Sequence, residues 1–183
     1  MEPAVKKSTR HRLQPCKNFL ELAGTRKSIR AYENKPVEKS RLEYIINAGR
    51  FAPSACNKQP WHFYVLQQGE AREKINRAYD RRWFAEAPVI LAVVLKTDEA
   101  WVRSDGKCYG DLDAGLAMDH MLLAAHEQGL GACFIAAFKK EIAACALALP
   151  QNHEPILLAA VGYPAESGKE KSRKTYEEVC TWL

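Results

Sequence analysis

The run Pro88 to Lys96, P-V-I-L-A-V-V-L-K, most constrains what this chain can become. It is far shorter than the roughly 20 apolar residues that cross a bilayer. It also lacks the alternation of a strand with one wet face. Such a run, rich in Val and Ile, predicts a strand covered on both sides and therefore central in a sheet. A second segment, Tyr109 to Gln128, carries Leu112, Gly115, Leu116, Met118, Met121, Leu122, Leu123 and Ala125 around most of a helical circumference. That distribution predicts a helix buried in the core of the protein or of a dimer, ended by Gly129 and Gly131.

The other elements fall between these two. Phe19, Leu20 and Ala23 share a face in a short helix over about 17–24, which Gly24 can end. Leu42, Ile45, Ile46 and Gly49 recur at helical spacing in Val37 to Phe51, and Pro53 halts that helix. Trp61 to Leu66 is a bulky strand, 69–83 a helix, 132–138 a short apolar piece, 139–149 a helix and 155–163 the last strand before a polar tail. Helices and strands mix without strict alternation, which favours α+β over a doubly wound sheet.

Length and charge bound the rest. With 183 residues, 47% of them hydrophobic and 27% charged, the chain predicts a flexible basic arm over residues 1–15 and a single domain over 16–183. Neither of the most apolar runs, Pro88 to Leu95 and Pro155 to Val161, reaches membrane-spanning length, and the N-terminal charges precede no apolar stretch, so the expectation is a cytoplasmic protein without a membrane partner. The six cysteines include no C-x-x-C and no Cys/His pair at metal spacing. They read as reduced thiols, mostly buried, with Cys133 and Cys145 inside apolar segments and no metal site. His120 and His126 are six apart, off a common helical face, and read as satisfied core or interface residues.

Two segments carry chemistry. Ala52 to Trp61, A-P-S-A-C-N-K-Q-P-W, offers hydrogen-bonding Ser and Asn on proline-stiffened backbone, and Arg26 to Arg30, R-K-S-I-R, sets three cations around a hydroxyl. Together they predict a site for a polar planar ligand with an anionic tail. Lys169, Lys171, Arg173 and Lys174 add a basic cluster near the C-terminus. On the residues alone a second class stays open, a nucleic-acid-binding or regulatory module using the basic ends. Against it, the cations form no stripe and the long helix offers no basic face.

In the order R-K-S-I-R-A-Y, A-P-S-A-C-N-K-Q-P-W-H-F, H-E-Q-G-L-G-A-C-F-I, G-Y-P and K-S-R-K-T-Y-E-E-V, the chain resembles the nitroreductase family of FMN-dependent oxidoreductases from about Phe19 to its end. The resemblance implies an α+β fold, with a central, mostly antiparallel sheet flanked by helices. It further implies an intertwined homodimer with two FMN sites, each built from both chains. By that resemblance Arg26, Lys27 and Ser28 meet the ribityl and phosphate of FMN, and Arg30 lies near N1 and O2 of the ring. Pro53, Ser54, Ala55 and Asn57 come from the partner subunit. Phe134, Ile135, Ala136 and Ala137 run past the flavin so that a backbone N–H reaches N5, and Lys171 and Arg173 close on the phosphate. Members often have glutamate or glycine where this chain has Ala136 and Ala137, and this chain lacks room for the helices that shape pockets in larger members.

The implied activity is hydride transfer from NADH or NADPH through flavin N5 to a nitroaromatic, quinone or similar small acceptor, by a ping-pong cycle. Relatives of the fold also include dehalogenases and dehydrogenases. No catalytic side chain is expected, because the cofactor does the electron chemistry while Arg30 favours its anionic reduced form. Each charge-assisted contact from Arg26, Lys171 or Arg173 to the phosphate contributes roughly 1.5–3 kcal/mol.

Overall fold

The computed structural model describes residues 19–183; the expected basic arm and the first positions of the helix over 17–24 lie outside them. At the centre stand four strands, β1 (Trp61–Leu66), β2 (Val89–Lys96), β3 (Gly131–Ile135) and β4 (His153–Gly162), in the spatial order β1-β2-β4-β3. All three pairings are antiparallel. β2 is central, as its composition requires. Val89, Leu91 and Val93 point into one core and Ile90, Ala92 and Val94 into the other, all fully buried. The first core is closed by α2 (Lys39–Arg50) and α5 (Gly110–Glu127), the second by α3 (Glu70–Ile75), α4 (Arg82–Glu86) and α6 (Lys140–Ala146). Two short helices, α1 (Phe19–Thr25) and α7 (Tyr176–Val179), contribute no buried residue.

Packing explains where the chain departs from its local pattern. The expected helix over 69–83 is broken into α3, a 3₁₀ turn over Asn76–Ala78, an extended link and α4. Ile75 and Phe84 are both fully buried in the second core. Nine positions apart on one continuous helix, at about 100° per residue, they would face opposite ways. The buried Arg72 fixes the break: its Nη2 donates to the carbonyls of Phe84, Ala85 and Ala87 at 3.2, 3.0 and 2.7 Å, and burial pushes its pKa down. Asn76 Oδ1 accepts from its Nη1.

Glycine roles also differ from the expectation. Gly129, at φ +72°, ends α5 while Leu130 N–H donates to Ala125 O. Gly131 does not stop the helix but opens β3, where a Cβ would meet Ile29 Cγ2 at 2.7 Å. α1 runs through Gly24 and ends at Thr25. Of the described cysteines only Cys133 is buried; Cys56, Cys108 and Cys145 are exposed, so the expectation of mostly buried thiols is corrected. Cys145 fails it because α6 turns its Ala143 and Ala146 to the core and Cys145 outward. The tail is not uniformly polar. Thr175 and Glu178 form a capping box that starts α7, and Tyr176, Val179, Trp182 and Leu183 stand exposed.

Candidate functional site

The R-K-S-I-R segment covers the outer edge of β3. Ser28 bridges Ala132 in parallel, and Ile29 N–H donates to Ala132 O at 3.1 Å. After Ile29 the segment leaves β3: Ala31 O accepts from Ala165 N at 2.9 Å, and Tyr32 bridges Pro164. Tyr32 fixes the turn that follows: its hydroxyl donates to Ile29 O at 2.6 Å and lies 3.1 Å from Ala160 O, and burial raises its pKa. Glu166 Oε1 accepts from Arg30 N at 2.6 Å. The Arg30 guanidinium lies over the Trp83 ring, 5.8 Å from its centroid.

Two basic segments, 26–28 and 169–173, meet here. Arg26, Lys27 and Ser28 line one small cavity of about 100 Å³ with Lys169, Glu170, Lys171 and Arg173. Lys27 pairs with Glu170, and Gly168, at φ +70°, lets that loop pack on Lys27, where a Cβ would approach to 2.9 Å. Buried Cys133 borders the same region. Burial raises its pKa while Arg30, Ser28, Lys171 and Arg26 pull it down, so the thiol stays protonated near neutral pH in a positive field. A second cavity of about 300 Å³ continues along Ile29, Gly131, Ala132, Glu166 and Ser167. At about 3.3 Å per residue, the edge from Ala132 to Ala136 runs roughly 13 Å away from the cations. Phe134 is half exposed on that edge, Ile135 is buried, and Ala136 and Ala137 are exposed in the loop before α6.

The structure does not bring Pro53, Ser54, Ala55 and Asn57 to this place within one chain. They precede β1, whose start pairs with the end of β2 through Trp61 and Leu95. The basic cavity sits on the other edge strand at the other end of the sheet, where Gly131 pairs with Gly162. The loop itself is a built feature. Ala55–Asn57 form a 3₁₀ turn where no helix was expected, and Cys56, Asn57 and Gln59 hold φ of +50°, +54° and +50°. Non-glycine residues rarely adopt that conformation. Ser54 Oγ accepts from Gln59 N at 2.9 Å, and Asp113 Oδ1 accepts from Ala55 N at 2.9 Å. Asp113 is 1% exposed, and its Oδ2 has no partner among the described residues.

Sequence reading missed Asp113, Glu166, Glu170, Tyr32 and Trp83 as site residues. Only Asp113, a carboxylate inside an apolar helix, carried a local signal of something to satisfy. Among the described residues no cluster of His, Cys, Asp or Glu has metal-binding form, and no helix is long and apolar enough to cross a membrane.

An antiparallel sheet between helical layers, with a cationic notch on its β3 edge, defines an α+β protein. Comparison with known proteins makes the class specific: the model of the nitroreductase family matches residues 23–99 and 76–163, and the chain belongs to that family. A nitroreductase family protein of Clostridium difficile 630 superposes with a TM-score of 0.84 at 33% identity, over 90% of this chain and 98% of that one. A NADH dehydrogenase/NAD(P)H nitroreductase relative from Methanothermobacter thermautotrophicus is 31% identical over 155 residues, 82% of this chain and 79% of its own. The FMN reductase [NAD(P)H] of Bacillus subtilis is 29% identical over 84% of this chain and 68% of its own length.

Proposed function

We propose that this chain is an FMN-dependent NAD(P)H oxidoreductase that works as a homodimer, each site shared by two subunits. One observation carries the reading: R-K-S near the start of the described chain and K-S-R near its end, 143 positions apart for Lys27 and Glu170, close on one small cationic cavity. The residues present fit FMN. Arg26, Lys27, Ser28, Lys171 and Arg173 supply donors for a phosphate that carries nearly two negative charges. The β3 edge leads from there past Phe134 and Ile135 to Ala136 and Ala137, the residues that would border the ring and offer it a backbone N–H. When bound, FMN supplies the hydride chemistry between NAD(P)H and an acceptor.

The protein's own part is to bind and orient. Arg30, whose guanidinium lies over Trp83, would supply positive charge to the flavin ring and favour its anionic reduced form. Pro53, Ser54, Ala55 and Asn57 cannot act on the same subunit's cavity from the opposite corner of the sheet, so they complete the site of the partner. Surfaces for that partner are present. α5 leaves Leu112 exposed and Gly115 open along one stripe, and Leu20 and Trp182 are 84% and 83% exposed. A nitroaromatic, quinone or similar small molecule is the acceptor, taken in a ping-pong cycle over an open ring.

Arg173→Ala tests the reading. Wild-type protein is yellow as purified and oxidises NADH or NADPH with a nitroaromatic or quinone; the variant keeps its fold but loses flavin on dialysis, with FMN affinity down about tenfold or more. Unchanged flavin content removes Arg173 from the site. Colourless wild-type protein that FMN cannot reconstitute overturns the function.

A further inference from the structure

Beyond the Trp83 ring lies a second cationic cavity, of about 500 Å³, that the flavin site does not use. Arg77, Arg81 and Arg82 enter it from the 3₁₀ turn and the start of α4, and Lys139 from the residue before α6. Tyr79 forms its aromatic wall. The connection to the flavin site is short: the Arg30 guanidinium lies 5.8 Å from the Trp83 ring, Trp83 lies 5.7 Å from Tyr79, and the Arg81 guanidinium lies 6.0 Å beyond.

Its charges are unevenly matched. Arg82 pairs with Glu86 at 2.6 Å. Arg77, Arg81 and Lys139 have no carboxylate partner among the described residues, against the single carboxylate of Asp80 in the lining. These exposed cations stand on a backbone that is held. Arg72 fastens the carbonyls of α4 from below, Lys139 N–H donates to Ala78 O at 2.8 Å, and Arg81 Nη1 donates to Asp80 O at 3.2 Å. The volume falls in the range of small-molecule sites, and three cations beside a ring and a hydroxyl acceptor fit a phosphorylated nucleoside.

We propose that this cavity binds the adenosine 2′-phosphate end of the hydride donor, and that the protein therefore prefers NADPH to NADH. The inference rests on the oxidoreductase reading above and names the donor for the same site. With the nicotinamide over the flavin, the dinucleotide crosses Trp83 and lays its adenosine against Tyr79, Asp80 takes a ribose hydroxyl, and Arg77, Arg81 and Lys139 share the monoester dianion. NADH has no group for those three cations.

Isothermal titration of FMN-loaded protein with 2′-phospho-ADP-ribose and with ADP-ribose tests this directly, without turnover. The phosphorylated probe binds at least about tenfold tighter, and Arg81→Ala lowers its affinity about tenfold while leaving flavin content and ADP-ribose binding unchanged. Lys139→Ala, on a separate element, does the same and guards against a fold defect in the first variant. Equal affinity for the two probes, or a preference that survives both substitutions, overturns the proposal. The flavin absorbance of the same samples separates the two claims: yellow protein indifferent to the 2′-phosphate sinks only this inference, and colourless protein that still selects the phosphorylated probe sinks only the oxidoreductase reading.

Discussion

A single carboxylate ties the long helix to the loop that carries Ser54 and Asn57. Asp113 sits in the first turn of α5, buried, with one oxygen on Ala55 N–H. It holds a loop in which Cys56, Asn57 and Gln59 sit in the left-handed region, each at a cost that surrounding contacts must offset. Asp113→Ala leaves the Ala55 donor without its acceptor, which costs about 1–3 kcal/mol and loosens the loop that the proposed dimer would share. We expect FMN affinity to fall about tenfold with the fold retained, and Asp113→Asn, which keeps an oxygen acceptor, to restore most of it; equal losses in the two variants would remove the hydrogen bond as the cause. His126 acts at the other end of α5. Its Nε2 lies 3.0 Å from Thr25 Oγ1, and burial, then the nearby Arg26, hold its pKa below the usual value. A depressed histidine pKa means the fold prefers the neutral ring, so this contribution is complete above about pH 6.5 and is lost as pH falls below it. Thermal unfolding from pH 8 to 5 checks it: the midpoint drops on the acid side, and His126→Gln makes the drop shallower.

At the scale of elements, legibility followed how many neighbours decide a segment. β2 could be read from its own residues because both its faces are core, and α2 and α5 because their apolar positions repeat over three turns or more. The 69–83 segment could not, since Ile75 and Phe84 owe their burial to one shared core and Arg72 to carbonyls twelve to fifteen residues away. The site split the same way. Arg26 to Arg30 and the 52–61 loop announced themselves by composition, whereas the roles of Glu166, Trp83 and Tyr32 exist only once β3, β4 and the loop after β4 lie together. Close approach at Gly131 is a further example, invisible without Ile29 opposite. Gly131→Val forces Ile29 away from β3 and should cost about 1–3 kcal/mol of stability. Because Ile29 lies between Ser28 and Arg30, FMN affinity falls with it. A variant with unchanged melting and unchanged flavin content would contradict the packing of this edge.

For the whole molecule, membership of the nitroreductase family accounts for the sheet order, and the separation of the two motifs is the reason for the proposed two-subunit site. The cationic notch and the Ser54 loop stand at opposite corners of the sheet, so a molecule that uses both must be at least two chains. In the proposed site the anchor of the cofactor is electrostatic, set by residues 26–28 and 171–173. The most direct test is titration of flavin-stripped protein with FMN and with riboflavin, which share the ring and differ by the phosphate. Three charge-assisted contacts of roughly 1.5–3 kcal/mol each put FMN at least about 1,000-fold tighter, at one flavin per chain. Riboflavin binding as tightly as FMN would contradict a site anchored by Arg26, Lys171 and Arg173.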